Sequence, residues 1–164
     1  MKVFGIAGWS GSGKTTLIVR LLAELRGRGL SVSTIKHTHH LFQIDASDHE
    51  SRAFRDCGAY EAMVVSPRGW ALIHELRDEQ EPDLRAMIDT LAEVDLLLVE
   101  GFKFHPHDKL EIYRAAVGKP LLCVSDPHVV AVASDGAVPD ARVPVFHLDD
   151  VAGIADFIRR HTGL

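Results

Sequence analysis

Residues 8–15 constrain the fold of this chain more than any other segment. They read Gly-Trp-Ser-Gly-Ser-Gly-Lys-Thr and fit the pattern G-x-x-x-x-G-K-[ST]. The apolar run across residues 2–7 predicts a buried strand before this segment, and the apolar spacing across residues 15–28 predicts a helix after it. A strand, a glycine-rich turn and a helix in this order form a P-loop, in which backbone N–H groups and the helix N-terminus bind phosphate.

The side chains of this loop have separate expected roles. Lys14 is expected to act in binding and catalysis by placing its charge near the outer phosphates, and Thr15 to offer its hydroxyl to magnesium. A dinucleotide-binding loop is the nearest alternative, but Thr16 stands where the third glycine of G-x-G-x-x-G belongs. Trp9 has two open roles, stacking on a ligand or packing at an interface. The candidate nucleotide-binding residues are Gly8, Trp9, Ser10, Gly11, Ser12, Gly13, Lys14, Thr15 and Thr16.

A P-loop needs a carboxylate for its metal, and residues 95–101 offer two. The run Leu-Leu-Leu-Val between Asp95 and Glu100 is typical of a buried parallel strand. Ligands of parallel sheets bind beyond the carboxyl ends of the strands. Glu100 is therefore the candidate catalytic and metal-binding carboxylate, whereas Asp95 is expected to have a structural role at the opposite edge. Asp45 and Asp48, in a polar loop earlier in the chain, are further candidates for a metal.

A cluster of polar residues lies at the end of a second predicted strand, residues 31–37, at the same ligand-binding edge. Its sequence is Lys36-His37-Thr38-His39-His40. Lys36 and His37 are candidate contacts to a phosphate or a substrate. Two of the histidines also suit zinc, although no cysteine or acidic partner stands at zinc spacing. A solvated strand end is the third interpretation, and the sequence leaves all three open.

The remaining patterns predict an α/β fold of the P-loop NTPase type, a three-layer sandwich with a mostly parallel sheet flanked by helices. The length of 164 residues suits a single domain over residues 1–164. Pro67-Arg68-Gly69, between two apolar runs, predicts a β-hairpin. Further strands are predicted at 96–99, 121–124 and 129–133, and further helices at 50–57, 82–91 and 149–161.

The predicted hairpin carries many apolar side chains: Val64, Val65, Trp70, Leu72 and Ile73. A single exposed face cannot leave that many in water. Dimerisation would cover them, and packing within the same chain is the alternative. We expect a homodimer.

Composition and charge exclude several classes of function. The net charge of -5 and the sequence pI near 6.0 argue against general affinity for nucleic acid or anionic lipid. Cys57 and Cys123 are too few for a disulfide framework, which favours a reducing compartment. No basic stretch followed by a long apolar region starts the sequence, and the longest apolar run is far too short for a bilayer. We therefore expect a cytoplasmic protein with no membrane or nucleic-acid partner.

Four segments together resemble one family. They are the P-loop at 9–16, the histidine segment at 36–40, Glu-Gly-Phe-Lys at 100–103 and Ala-Val-Ala-Ser-Asp at 131–135, in that family's order. Over nearly its whole length the chain resembles the molybdopterin-guanine dinucleotide biosynthesis adapter proteins (MobB). The histidine and Glu-Gly-Phe-Lys segments are the most specific parts, because a P-loop alone occurs in many families.

The resemblance implies a homodimer that binds GTP and Mg²⁺, hydrolyses GTP slowly, and assists the guanylyltransferase that joins GMP to molybdopterin. It implies that the P-loop and Glu100 face the nucleotide. Lys103 becomes, with the histidine segment, a candidate contact to the anionic pterin or to the partner enzyme. Molybdopterin and its insertion machinery are further implied partners. Ser134 and Asp135 are candidate contacts to the base, and the preference for guanine follows from the resemblance.

Three other functions stay open. A small-molecule kinase would need an arginine-rich lid, whereas Arg52, Arg55, Arg68 and Arg77 are dispersed along the sequence. A partitioning ATPase or dimeric switch with a deviant loop would carry an extra lysine near the start of the loop, and residues 8–12 contain none. Zinc delivery would rest on the histidines alone.

Overall fold

The structure is a computed structural model that describes residues 1–38 and 50–164. In chain order its elements are β1 (Lys2–Ala7), α1 (Lys14–Gly27), β2 (Val32–Lys36), α2 (Glu50–Asp56), β3 (Glu61–Ser66), β4 (Gly69–His74), α3 (Leu84–Asp89), β5 (Leu96–Glu100), β6 (Lys109–Tyr113), β7 (Val129–Ser134), β8 (Val145–His147) and α4 (Val151–Thr162). Contacts group the chain into two compact units, Met1–His37 with Leu91–Leu164, and Thr38–Thr90. A single domain over residues 1–164 therefore stays a prediction.

The first unit is built on a six-stranded sheet in the order β2-β5-β1-β6-β7-β8. Every neighbouring pair in this order is parallel, so the carboxyl ends of all the strands meet at one edge. β1 lies between β5 and β6, which places the loop after β1 near the middle of that edge. The loops after β2 and β5 leave the sheet beside it.

Helices α1 and α4 pack together against the sheet and enclose the main core. Leu21 and Leu25 of α1 are fully buried, as are Ile154 and Ile158 of α4. Phe4 of β1 lies in the same core and contacts Phe157 edge to face at a centroid distance of 6.4 Å. Full burial of such side chains contributes about 1.5–3 kcal/mol each, so the P-loop is carried by a rigidly packed strand and helix.

Strand β6 carries two charged side chains into the interior, since Lys109 is 1% exposed and Glu111 is not exposed at all. The carboxylate of Glu111 accepts hydrogen bonds from the N–H groups of Leu122 and Cys123, at 2.8 and 2.9 Å. Burial raises the pKa of Glu111, whereas these two hydrogen bonds oppose the rise. The buried carboxylate of Glu111 thus has hydrogen-bond partners in the loop that follows the strand.

The prediction of a strand at residues 121–124 was wrong. Leu122–Val124 form a short 3₁₀ turn, because two of the N–H groups that a sheet would use donate to Glu111 instead. Strands β6 and β8 were not predicted from the sequence. The other predicted elements are present, and α3 and α4 begin after the capping aspartates Asp83 and Asp150.

The described part of the second unit contains α2, α3 and a two-stranded antiparallel hairpin of β3 and β4. The predicted hairpin is confirmed, with Ser66 paired to Gly69 across its turn. One face of the hairpin carries Met63, Val65, Trp70 and Leu72, which are 59%, 70%, 68% and 44% exposed. Val64 and Ile73 alternate onto the other face and are partly buried, so the apolar surface is narrower than the sequence indicated.

Among the described helices, none has the length and apolar character needed to cross a bilayer.

Candidate functional site

The P-loop leaves the carboxyl end of β1 and turns directly into α1. Gly13 caps that helix with a left-handed φ of 99°, a conformation that residues with a side chain rarely adopt. Lys14 folds back over the loop, where its Nζ donates to the carbonyl oxygens of Gly8 and Trp9, both at 3.1 Å. The ammonium therefore lies within the concave loop in which a P-loop binds phosphate.

Thr15, Glu100 and Lys36 meet beside this loop. The hydroxyl oxygen of Thr15 lies 3.0 Å from both carboxylate oxygens of Glu100, which is only 8% exposed. Lys36 is the register partner of Glu100 in the neighbouring strand. Its ammonium donates to Thr15 at 3.1 Å and lies 3.3 Å from Glu100. Three residues predicted separately from the sequence thus form one contact cluster.

A surface depression of about 370 Å³ opens over these residues, and its lining is Ser10, Gly11, Gly13, Lys14, Thr15, Thr16, Lys36 and Glu100. A depression of similar volume, about 350 Å³, lies at the opposite edge of the sheet and includes Asp95. The Asp95 carboxylate accepts hydrogen bonds from the N–H and the hydroxyl of Ser31, at 2.7 and 2.6 Å. Asp95 therefore has the structural role predicted for it, and the first depression is the candidate site.

The candidate site concentrates positive charge in a chain whose net charge is -5. The pKa of Lys14 is lowered mainly by burial, and further by the nearby ammonium groups of Lys36 and Lys103, while Glu100 opposes the shift. Burial also lowers the pKa of Lys103. Like charges held this close favour an anionic ligand, which would relieve their repulsion.

The oxygen atoms at this site fit a magnesium ion. Mg²⁺ prefers hydroxyl, carboxylate, phosphate and water oxygens, and Thr15 and Glu100 supply the first two within 3.0 Å of one another. The Lys36 ammonium touches the same two side chains. A bound ion would therefore lie beside this ammonium at the Glu100 carboxylate.

Known proteins of one family are similar to this chain. A model of the family described as molybdopterin guanine dinucleotide synthesis protein B, MobB, matches residues 3–135. The chain belongs to this family. It is 41% identical over 160 residues to the molybdopterin-guanine dinucleotide biosynthesis adapter protein of Escherichia coli, which covers 95% of this chain and 90% of that protein. It is 36% identical over 156 residues to the protein of the same name in Haemophilus influenzae, and this alignment covers 95% of this chain and 86% of that protein.

Solved structures of MobB proteins have the same fold. A crystal structure of molybdopterin-guanine biosynthesis protein B superposes with a TM-score of 0.77 at 29% identity, covering 99% of both chains. The Bacillus subtilis MobB crystal structure superposes with a TM-score of 0.79 at 24% identity, covering 99% of this chain and 98% of that one. The predicted family and the predicted α/β fold, with a parallel sheet, flanking helices and a hairpin, are therefore confirmed.

His37 packs against the loop that follows Glu100 in this MobB chain. The chain reverses sharply at Gly101, whose φ is 98° and where an added Cβ would lie 2.8 Å from the Cβ of His37. The next residue, Phe102, stacks on the His37 ring at a centroid distance of 4.4 Å. The absence of a side chain at Gly101 thus allows the loops after β2 and β5 to approach closely.

Lys103 and Trp9 form a second contact beside the P-loop. The indole N–H of Trp9 donates to the carbonyl oxygen of Pro120 at 2.8 Å, which fixes the ring. The ammonium of Lys103 lies 3.6 Å from the centre of that ring, in the geometry of a cation–π interaction. Trp9 therefore has partners within its own chain, and Lys103 lies at the same edge as Lys14.

Ser134 and Asp135 lie at the end of β7, on the far side of the P-loop from Lys36. Ser134 is 2% exposed and accepts a hydrogen bond from the N–H of Gly136 at 3.2 Å. The Asp135 carboxylate accepts one from Arg114 at 2.6 Å. Arg114 also donates through Nε to the carbonyl oxygen of Ser12 at 3.0 Å, so the residue proposed to contact the base is linked to the P-loop.

Several predicted residues lie outside the described part of the chain, namely Asp45, Asp48, His39 and His40. Their proposed roles in metal or substrate binding stay predictions. Within residues 1–38 and 50–164, no group of three or more histidine, cysteine, aspartate or glutamate side chains is placed to hold a metal ion.

Arg114 and the support that Lys109 provides were not predicted from the sequence. The Lys109 ammonium donates to the carbonyl oxygens of Lys103 and His105, at 3.1 and 2.9 Å, and to Asp126 at 2.9 Å. It therefore fixes the loop that carries Lys103. The available signal was the alternation Lys-Leu-Glu-Ile across residues 109–112, which is typical of a strand.

Proposed function

We propose that this chain is a GTP-binding adapter in molybdopterin guanine dinucleotide biosynthesis, with slow magnesium-dependent GTPase activity, and that it assists the guanylyltransferase. The observation that carries the proposal is the cluster of Lys14, Thr15, Lys36 and Glu100 around the P-loop. The adapter role is supported by the names of the similar Escherichia coli and Haemophilus influenzae proteins. GTP is supported by the guanine nucleotide that such a pathway consumes.

Each residue of the cluster has a chemical role in this proposal. The N–H groups of the P-loop and of the first turn of α1 bind the phosphate oxygens, and Lys14 leaves the carbonyl oxygens of Gly8 and Trp9 to pair with the outer phosphates. Thr15 and Glu100 hold Mg²⁺, directly or through water, which neutralises charge on the phosphates. Ser134 and Asp135 lie on the side proposed for the base.

Slow hydrolysis is the expected outcome of this arrangement. Rapid phosphoryl transfer needs a positioned nucleophile and added positive charge at the transferred group. The Arg114 guanidinium donates to Ser12 and Asp135, and it does not line the depression over the P-loop. The nucleotide then acts mainly as a ligand that prepares the adapter for its partner.

The proposed partners follow from the same role. They are the guanylyltransferase, molybdopterin with its insertion machinery, and a second copy of this chain, all in the cytoplasm and without nucleic acid or membrane. Lys103 and His37, which lie beside the P-loop, are proposed to contact the anionic pterin or the transferase. A zinc-delivery role has no support among the described side chains.

Calorimetry with GTP, GDP and ATP in the presence of magnesium tests the nucleotide. We expect GTP to bind and Lys14→Ala to lose roughly 10- to 100-fold in affinity, because a charge-assisted hydrogen bond contributes about 1.5–3 kcal/mol. Lys2→Ala, which removes an exposed lysine from the opposite edge of the sheet, is the matched control and should bind as the wild type does. Equal affinity for GTP and ATP would reject the guanine assignment, and unchanged affinity in Lys14→Ala would reject the P-loop site.

Reconstituted guanylylation of molybdopterin at limiting GTP tests the adapter role. We expect the chain to raise the yield or rate of the guanylyltransferase. A small-molecule kinase would instead transfer phosphate rapidly to an acceptor without any partner. The dispersed arginines do not favour that outcome, since Arg55 pairs with Glu75 and Arg77 donates to the carbonyl of Ala59. No effect on guanylylation, together with rapid phosphorylation of an acceptor, would replace the adapter by a kinase.

A further inference from the structure

Arg114 contacts the P-loop on the side away from the depression. It follows β6 directly, and Asp135 follows β7 directly, so the register of the two parallel strands brings both residues side by side. Through Nη1 the guanidinium donates to Asp135 at 2.6 Å, and through Nε to the carbonyl of Ser12 at 3.0 Å. Ser12 is only 1% exposed, and neither Ser12 nor Arg114 lines the depression over the loop.

The geometry of one peptide bond turns this contact into a constraint on the ligand site. No peptide bond of the described chain is cis. In a trans peptide the C=O and the following N–H point in opposite directions. When Arg114 holds the carbonyl of Ser12 behind the loop, the N–H of Gly13 must therefore point to the opposite side, into the concave loop that binds phosphate.

We propose that Arg114 is a positioning residue for the phosphate-binding loop and that Asp135 acts through it by fixing the guanidinium. The pair holds the Ser12–Gly13 peptide in the orientation that presents the Gly13 N–H to phosphate before any ligand arrives. The benefit is preorganisation, because the loop loses less freedom when it binds. The inference rests on the proposed function in one respect, that the bound phosphate belongs to GTP.

An ordinary surface ion pair is the alternative explanation, and the chain supplies a matched example. Arg20 on α1 pairs with Asp149 at 2.9 Å, and its side chain is 42% exposed against 39% for Arg114. Exposed pairs of this kind contribute about 0–1 kcal/mol to stability. Arg20→Met therefore removes a similar ion pair without touching the P-loop.

Nuclear magnetic resonance of the free protein tests the positioning role without any nucleotide. We expect the Gly13 amide to have an order parameter near the rigid value of about 0.85 in the wild type and in Arg20→Met. In Arg114→Met it should fall clearly below that value, while far-UV circular dichroism stays unchanged. The order parameter should also fall in Arg114→Lys, because an ammonium lacks the planar fork that joins Ser12 to Asp135. A Gly13 amide that stays equally rigid in both Arg114 variants would overturn the proposal.

GTP titration with magnesium supplies the second measurement. Because its loop must be ordered when the ligand binds, Arg114→Met should bind GTP about tenfold more weakly. The downfield shift that a phosphate hydrogen bond gives the Gly13 amide proton should also be lost. Asp135→Asn should weaken binding less than Arg114→Met does, and its effect should be smaller in the Arg114→Met background than in the wild type, because Asp135 acts on the loop through Arg114. An effect of Asp135→Asn that is equal in both backgrounds would show that Asp135 does not act through Arg114 and would overturn the proposal. If the wild type failed to bind GTP, the proposed function would fall, whereas the free-protein measurement would still decide the role of Arg114.

Discussion

Glu100 has two partners in the structure and a third in the proposed function. Its carboxylate accepts a hydrogen bond from Thr15 and pairs with Lys36, and both of these contacts lie where Mg²⁺ is proposed to bind. The Lys36 ammonium therefore lies next to the position proposed for the metal, and it shares the Glu100 carboxylate with that position.

Thr15→Ala and Glu100→Gln test the magnesium site. Each variant removes one of the proposed oxygen ligands, or its charge. We therefore expect the affinity of the GTP complex for magnesium to fall roughly 10- to 100-fold. Binding without magnesium should change much less. Titration of magnesium at fixed GTP measures the difference, and full magnesium dependence in both variants would move the metal site to Asp45 or Asp48.

His107 should make the stability of the fold depend on pH. Burial, reinforced by Lys109 and His105, lowers its pKa to about 4. Both of its ring nitrogens are buried and have no hydrogen-bond partner among the described residues. Because the unfolded chain takes up this proton near pH 6.5 and the folded chain does not, the contribution of His107 to stability should be constant above about pH 6.5 and should fall towards pH 4.

Urea unfolding between about pH 7 and pH 5 measures this contribution, which has an upper bound of roughly 3 kcal/mol for the full shift. His107→Phe should flatten the decline relative to the wild type. His147→Phe is the control, since the His147 side chain is 61% exposed. The same slope in His107→Phe and in the wild type would contradict the prediction.

Strand β6 supports several segments around the candidate site. Its first residue, Lys109, fixes the loop that carries Lys103, and its third residue, Glu111, fixes the turn at Leu122–Val124. The residue after its end is Arg114, which contacts the P-loop. One short strand thus supports three segments around the candidate site.

Lys109→Met tests how much the fold depends on this strand. The substitution keeps the length of the side chain but leaves two carbonyl oxygens and the Asp126 carboxylate without their donor. Removing one member of a buried charge pair costs about 3–5 kcal/mol, so we expect a loss of that size in the free energy of unfolding. Lys2→Met, at an exposed position of β1, should change it little. A loss equal to that of Lys2→Met would contradict the role assigned to Lys109.

The elements differ in how far the sequence predicts them. β1, the P-loop and α1 follow from local patterns, because apolar periodicity and glycine spacing determine them within one segment. β6 does not, because its charged residues Lys109 and Glu111 are buried, and their hydrogen-bond partners lie in the loops before and after the strand. The residues at 121–124 have the apolar character of a strand, yet the carboxylate of Glu111 takes their N–H groups. The position of Glu100 beside the P-loop was predictable because a strand end is a local signal, whereas the contacts of Arg114 with Ser12 and Asp135 depend on three loops meeting.

The two compact units expose different kinds of surface. The first unit has its charged depression at one edge of the sheet. The second has a hairpin face of Met63, Val65, Trp70 and Leu72 open to solvent. Contiguous apolar faces of this kind are characteristic of protein interfaces. The homodimer expected from the sequence would use this face.

Light scattering at micromolar concentration tests the dimer. We expect the wild type to have twice the chain mass of 18.1 kDa. Val65→Ser combined with Trp70→Ser should lower the mass towards that of one chain, because the two residues are cross-strand partners and are the most exposed side chains of the face. Val19→Ser is the control, since Val19 is also exposed, at 61%, but lies on α1. A wild type with the mass of a single chain would reject the dimer.

The contact between Trp9 and Lys103 also has an optical consequence. The chain contains two tryptophans, Trp9 in the P-loop and Trp70 on the hairpin. A charge close to an indole ring shifts its fluorescence, and the Lys103 ammonium lies 3.6 Å from the centre of the Trp9 ring. A phosphate that draws this ammonium away, or that adds its own charge beside the ring, changes the emission of Trp9. The P-loop thus contains its own fluorescent reporter, and Trp70→Phe would leave Trp9 as the sole source of the signal.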